Sequence, residues 1–206
     1  MSTRGFTVQA SVGRERRAAT RRQILDALRS LLEDGAPVAG LSVERIVSEA
    51  GVSRATFYVH FAGKAEVVTA LSEQDMEPWL ERALPILADP TSDREAFALI
   101  IRELVENWRT HAAVSASLVE LAEYDPAVRD AWHGIVHRLA GELASHLRRR
   151  AGFEGDADTM AAVMAWMVER NCHQLVRSGA PEDDDRVAAA LAEAIWRIVE
   201  PRWTAG

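Results

Sequence analysis

An all-α protein is the fold class that this sequence predicts. Three observations carry the prediction. Ala and Leu abound while β-branched runs stay short. Apolar residues recur at helical spacing along most of the chain. The breaks in that spacing fall at Gly, Pro and Asp-Pro steps, which stop and restart helices. With 206 residues, 48% of them hydrophobic, the chain has material for one large or two small domains with a real core.

Residues 1–13 read as a flexible lead. Residues 14–22, RERRAATRR, form a dense basic run into a first helix of about 15–34. Ile24, Ala27, Leu28, Leu31 and Leu32 make its apolar stripe, and Gly35 ends it. Next, Val43, Ile46, Val47 and Ala50 sit on one face of a short second helix, with Ser42 placed as its N-cap and Gly51 as its left-handed stop. Ser53 caps a third helix that turns Phe57 and Phe61 inward, along with Val52 just before it. Arg54, Thr56, Tyr58 and His60 face outward, and Lys64 follows. Two short helices around a tight Gly turn are a helix-turn-helix, and its outward side chains suit phosphates and base edges. This core is small and needs support from the next helix, about 64–87, which carries Val67, Val68 and Leu71. Pro78 and Pro85 are where that helix would bend.

From residue 88 the spacing predicts helices near 93–110, 112–122, 126–151, 157–178 and 183–199. The tetrad Glu182–Asp185 opens the last of them, where a helix dipole favours negative charge. Phe97, Trp108, Trp132, Trp166, Met167 and Trp196 are spread over different helices of this body. They read either as ordinary core or as walls of an apolar small-molecule cavity. Helix 157–178 is apolar around much of its girth, and helix 183–199 carries several Ala. The pair is expected to form a two-fold homodimer interface.

Charge is uneven. Residues 1–64 hold ten Arg/Lys and six Asp/Glu, net +4; residues 65–206 hold fourteen and twenty-five, net −11. A basic head on an acidic body suits a molecule that meets nucleic acid at one end. Cys172 is the lone cysteine, which excludes an intramolecular disulfide and Cys-rich zinc sites. Without a long apolar run or a signal-like N-terminus, a cytoplasmic protein with no membrane span is expected. The Arg and Ala excess fits a GC-rich bacterial genome. An enzyme is not expected. His133 and His137 lie four apart in a His-Gly-Ile-Val-His stretch with no evident third ligand, and Cys172 and His173 diverge around their helix. No Gly-rich phosphate loop is present, so no cofactor and no metal are assigned.

The stretch from Ile24 to Leu71 resembles the DNA-binding domain of TetR-family transcriptional regulators. The resemblance rests on Gly51-Val52-Ser53, on Thr56-Phe57-Tyr58-Val59-His60-Phe61 and on Lys64. It implies a domain at 14–64, with the motif at 42–61, and a helical ligand-binding and dimerisation domain at 65–206. It further implies a homodimer, most often a repressor, that binds a pseudopalindromic double-stranded operator and is released by a small hydrophobic effector. Carried onto this chain, Ser42, Tyr58, His60 and Lys64 are expected at phosphates, Arg54, Ala55 and Thr56 nearest the bases, and Val43 at the DNA interface beside Ser42. Glu44 stands where several relatives have a basic residue. The body is similar to the branch that includes the mycobacterial repressor of ethionamide activation, through Glu169-Arg170, Trp132 and Trp196. That branch's two pocket asparagines fall on Ala165 and Val168 here; Asn171, displaced by three residues or about one turn, is the candidate polar anchor, with an amide serving the helix or the dimer contact as the alternative. Two alternatives stay open: an architectural DNA-binding protein without an effector, and a helical enzyme.

Overall fold

The computed structural model describes residues 4–150, 153–178 and 180–200. Among them are nine α-helices and no strand. The chain divides into two compact units, Met1–Leu71 and Ser72–Gly206.

In the first unit, α1 runs from Arg4 to Glu33. It starts well before the expected boundary near 15: no proline interrupts residues 4–13, and the helix continues through Gly13. Residues 1–3 of the expected flexible lead lie outside the described residues. Helices α2 (Val43–Ala50) and α3 (Arg54–His60) follow a short 3₁₀ turn at Val38–Gly40. Local chemistry sets their ends. The Ser42 hydroxyl accepts from the Arg45 N–H, and the Ser53 hydroxyl from the Thr56 N–H at 3.0 Å. Gly51 takes φ 62°, a left-handed geometry that a side chain disfavours, so the chain turns there without strain. Ile24, Leu28, Ile46, Phe57 and Phe61 are essentially excluded from solvent. Val43, Val47 and Val52, expected inside, are half-buried at the margin of this core.

Helix α4 is continuous from Lys64 to Ala88, with Pro78 and Pro85 inside it. In the second unit, α5 (Arg94–Thr110), α6 (Ala112–Tyr124), α7 (Pro126–Arg149), α8 (Ala157–Ser178) and α9 (Asp184–Val199) follow the expected order. Helix α7 packs on α6 and α8, and α5 packs on α9. Caps again mark the starts: the Asp93 carboxylate accepts from the Ala96 N–H, and that of Asp125 from the Ala127 N–H. The acidic tetrad acts through a specific partner. Arg109 in the last turn of α5 donates twice to Asp184, at 2.8 and 2.7 Å, and once to the Leu175 carbonyl, so three helix ends meet at one guanidinium. No described helix is long and apolar enough to cross a membrane.

Candidate nucleic-acid interface and apolar cavity

The capped α2–α3 pair presents a polar surface. Arg54, Ala55 and Tyr58 are exposed, while Thr56 and His60 are half-exposed. Phe57, between them, is wholly buried and meets Tyr58 edge-on at 5.4 Å between ring centres. One α3 face therefore anchors the helix while the other is free to meet a partner. The Arg54 guanidinium is held by an ion pair to Glu44 on α2, by a 3.4 Å donation to the Tyr58 hydroxyl, and by the Tyr58 ring at 5.6 Å. An ion pair this exposed contributes only about 0.2–1 kcal/mol, so a phosphate or a guanine edge can displace the carboxylate. The Thr56 hydroxyl lies 2.8 Å from that of Ser53.

Lys64 has a role that its spacing in the sequence does not show. Its ammonium donates to the Val38 carbonyl at 2.6 Å and to that of Ala39 at 2.9 Å, tying the start of α4 to the turn ahead of α2. Of its three N–H donors, one remains for a phosphate. The basic run on α1 is also partly engaged. Arg17 donates to the Val59 carbonyl at the end of α3, and Arg21 stacks over Phe61 at 4.4 Å. Partial burial and those two guanidiniums lower the His60 pKa, so the imidazole favours its neutral form. Arg14, Arg16 and Arg22 stay exposed along the same helix.

The second unit holds an apolar cavity of about 80 Å³. Phe97, Trp108 and Trp132 line it, as the sequence suggests, together with Met76 and Trp79 from α4 and Met164 from α8. Ala165 and Val168, the positions aligned with the branch's asparagines, also face it. Four expected lining residues lie elsewhere. Trp166 meets the edge of His133, 4.9 Å away, on the outer side of α7 and α8. Met167 is half-exposed outside the lining. Trp196 sits between Phe97 and the Arg150 guanidinium, 5.9 and 5.0 Å away. Asn171 is exposed and returns its amide to the Met167 carbonyl at 2.8 Å, so it anchors nothing in the cavity. Sequence reasoning missed the polar group that does reach the lining, Glu169, which is 8% exposed. Burial raises its pKa; the nearby Arg170 charge and the Trp132 indole hold the rise back. The signal for it was a charged residue about one turn beyond Met164 and Ala165, next to Val168, inside an otherwise apolar helix face.

The first unit matches the model of the bacterial regulatory proteins, tetR family, over residues 24–71. The chain carries a TetR-family DNA-binding domain. Among curated relatives, a nucleoid occlusion factor, SlmA, of Vibrio atlanticus is 26% identical over 170 residues, covering 79% of this chain and 87% of its own. The transcriptional regulator EthR of Mycobacterium tuberculosis is 31% identical over 140 residues, covering 60% of this chain and 64% of its own. The fold is also that of Thermus thermophilus FadR, a TetR-family repressor solved with lauroyl-CoA. That likeness has a TM-score of 0.67 at 19% identity, over 90% of this chain and 98% of that one. The two-part TetR architecture, a helix-turn-helix head and a helical body, is thus present throughout the described chain.

Proposed function

We propose that this TetR-family regulator is a homodimeric repressor that binds a pseudopalindromic operator through α2 and α3 and is released by a small hydrophobic effector. The observation that carries the reading is the capped α2–α3 pair, which buries Phe57 and leaves Arg54, Ala55 and Tyr58 exposed and Thr56 half-exposed along α3. Arg54, with Ala55 and Thr56, would read base edges. Ser42, Tyr58 and His60 would hold phosphates, with Val43 at the same edge of the interface. Lys64 would act at a phosphate with its remaining donor while bracing the turn before α2. Such a protein works where the chromosome is, in the cytoplasm.

The dimer would form through α8 and α9. Val163 is 57% exposed and Met160 is 37% exposed on α8, beside half-exposed Met167. Helix α9 adds Ala190, exposed, and half-buried Val187, Ala194 and Ile198 at helical spacing. Small side chains there permit close helix approach in a two-fold interface.

Release would be a population shift. At about 80 Å³ the cavity is smaller than the roughly 150 Å³ site that holds a benzene, so an effector must part its walls. Met76 and Trp79 in those walls belong to α4, whose first residue, Lys64, stands four beyond the end of α3. A complete switch needs about 10⁴-fold preference for the released state, about 5.5 kcal/mol.

Fluorescence anisotropy with duplexes from the chain's own upstream region, against a scrambled duplex at two salt concentrations, tests the proposal. Tighter binding to the upstream duplex, saturating at one or two dimers, is expected. Equal weak binding to both favours a second reading, an architectural DNA-binding protein without an effector. The SlmA relatives, matched over more of this chain than EthR, support that alternative.

A further inference from the structure

The cavity wall has an unusual polarity. Among its described lining residues Glu169 is the sole ionisable group, and no Lys, Arg or His accompanies it. Its carboxyl is 8% exposed and burial raises its pKa. Arg170, the adjacent residue, is exposed and directs its guanidinium to His173 at 3.2 Å. Three tryptophans share the lining, Trp79, Trp108 and Trp132, the last two edge-to-face at 5.6 Å. The Trp79 indole N–H is already donated to the Ile100 carbonyl, which leaves that ring to act through its π surface.

Each class of guest meets this wall differently. An acyl carboxylate would enter beside Glu169 with no cation to receive it, and two carboxylates in an apolar site repel. A neutral hydrocarbon gains burial but adds nothing to what the Trp132 indole and the Arg170 charge already give the carboxyl. A cation with apolar bulk gains burial, a charge-assisted contact to Glu169, and the negative faces of indole rings. The net charge of −11 over residues 65–206 favours the same sign of guest at the approach.

We infer that the cavity takes lipophilic cations, hydrophobic amines or quaternary ammonium compounds, with the positive centre at Glu169 among Trp79, Trp108 and Trp132. This inference rests on the reading of the cavity as an effector site. It narrows that reading from any small hydrophobic molecule to one charge class.

The test uses the full chain and three probes of equal chain length: decylamine, 1-decanol and decanoate. Binding is followed at neutral pH, below the critical micelle concentrations, by calorimetry and by quenching of tryptophan emission. Decylamine should bind about tenfold more tightly than 1-decanol, and decanoate most weakly. Glu169→Gln, which keeps the shape and removes the charge, should bring the amine down to the alcohol. Ala165→Phe, which fills the cavity from its wall, should remove all three; should Glu169→Gln fail to fold, the head-group order in the wild type and the loss in Ala165→Phe decide. Equal binding of amine and alcohol, or tighter binding of decanoate, overturns the charge preference and leaves the cavity reading standing. Absence of binding by every probe overturns the cavity reading itself, and this inference with it.

Discussion

The exposed face of the head and the cavity of the body use polar groups in opposite ways. In the head they are numerous, exposed and cross-linked to one another: Arg54 to Glu44 and Tyr58, Arg17 to the end of α3, Lys64 to the turn before α2. In the cavity of the body one ionisable group, the buried carboxyl of Glu169, stands in an apolar wall. A surface built for a polyanion can hold its donors in weak pairs that exchange with phosphate at little cost. A cavity that selects by charge needs a single group in a dry place, where each interaction is stronger.

Substitutions can break this contrast. The largest effect is expected from Phe57→Ala, which empties the anchor under α3. It should cost about 3–5 kcal/mol in the head and abolish DNA binding while the amine site persists, as calorimetric unfolding and probe titration would show. Arg54→Ala should lower discrimination between the preferred duplex and a mismatched one by about 1–3 kcal/mol, with less effect on scrambled DNA. Equal loss on both duplexes would remove Arg54 from the bases. Lys64→Ala should weaken all duplexes alike. It should also lower the unfolding free energy by about 1–2 kcal/mol through its two carbonyl contacts, which chemical denaturation would detect.

A pH experiment sharpens the body's side of the comparison. His146 is fully buried, and Arg150, which can only donate, lies 3.2 Å from its Nε2. Burial first, then the Arg150 charge, lower its pKa; the backbone contacts at Asp89 and Leu87 raise it by less, and the Arg149 charge adds the smallest lowering. The unfolded state therefore binds the extra proton first. Stability should hold above the ordinary histidine value of about 6.5 and fall as pH drops below it toward the folded value, by at most about 1.4 kcal/mol per pH unit. His146→Gln should flatten that slope in the mildly acidic range, where melting temperatures report it; an unchanged slope would assign the effect elsewhere, His60 included. The smallest effect is expected from Glu44→Gln. Freeing Arg54 should raise affinity for all duplexes by no more than severalfold, with a steeper salt dependence.

Much of the head was legible because its determinants are local. Ser42, Gly51 and Ser53 define their caps within a few residues, and the structure shows each bond. Lys64 was only half legible: its partners, Val38 and Ala39, lie about 25 residues away, and no local pattern points to them. The helices of the body were readable from their punctuation, but the cavity depends on which faces meet across α4, α5, α7, α8 and α9. Size and aromaticity picked out Phe97, Trp108 and Trp132, which line the cavity. The same criteria misplaced Trp166 and Trp196, whose rings serve His133 and Arg150 outside the cavity. Asn171 drew attention as the asparagine nearest those of the similar branch, yet it lies two positions past Glu169, about 200° around α8, and so faces away.

Selection of bound duplexes from a random-sequence pool, run in parallel with the wild type and Arg54→Ala, tests the central claim most directly because it assumes no operator. The wild type should enrich a pseudopalindrome with half-sites about one helical turn apart, and Arg54→Ala should enrich a degenerate version of the same spacing. A pool that stays random through successive rounds with the wild type, at moderate salt, would contradict a sequence-specific regulator.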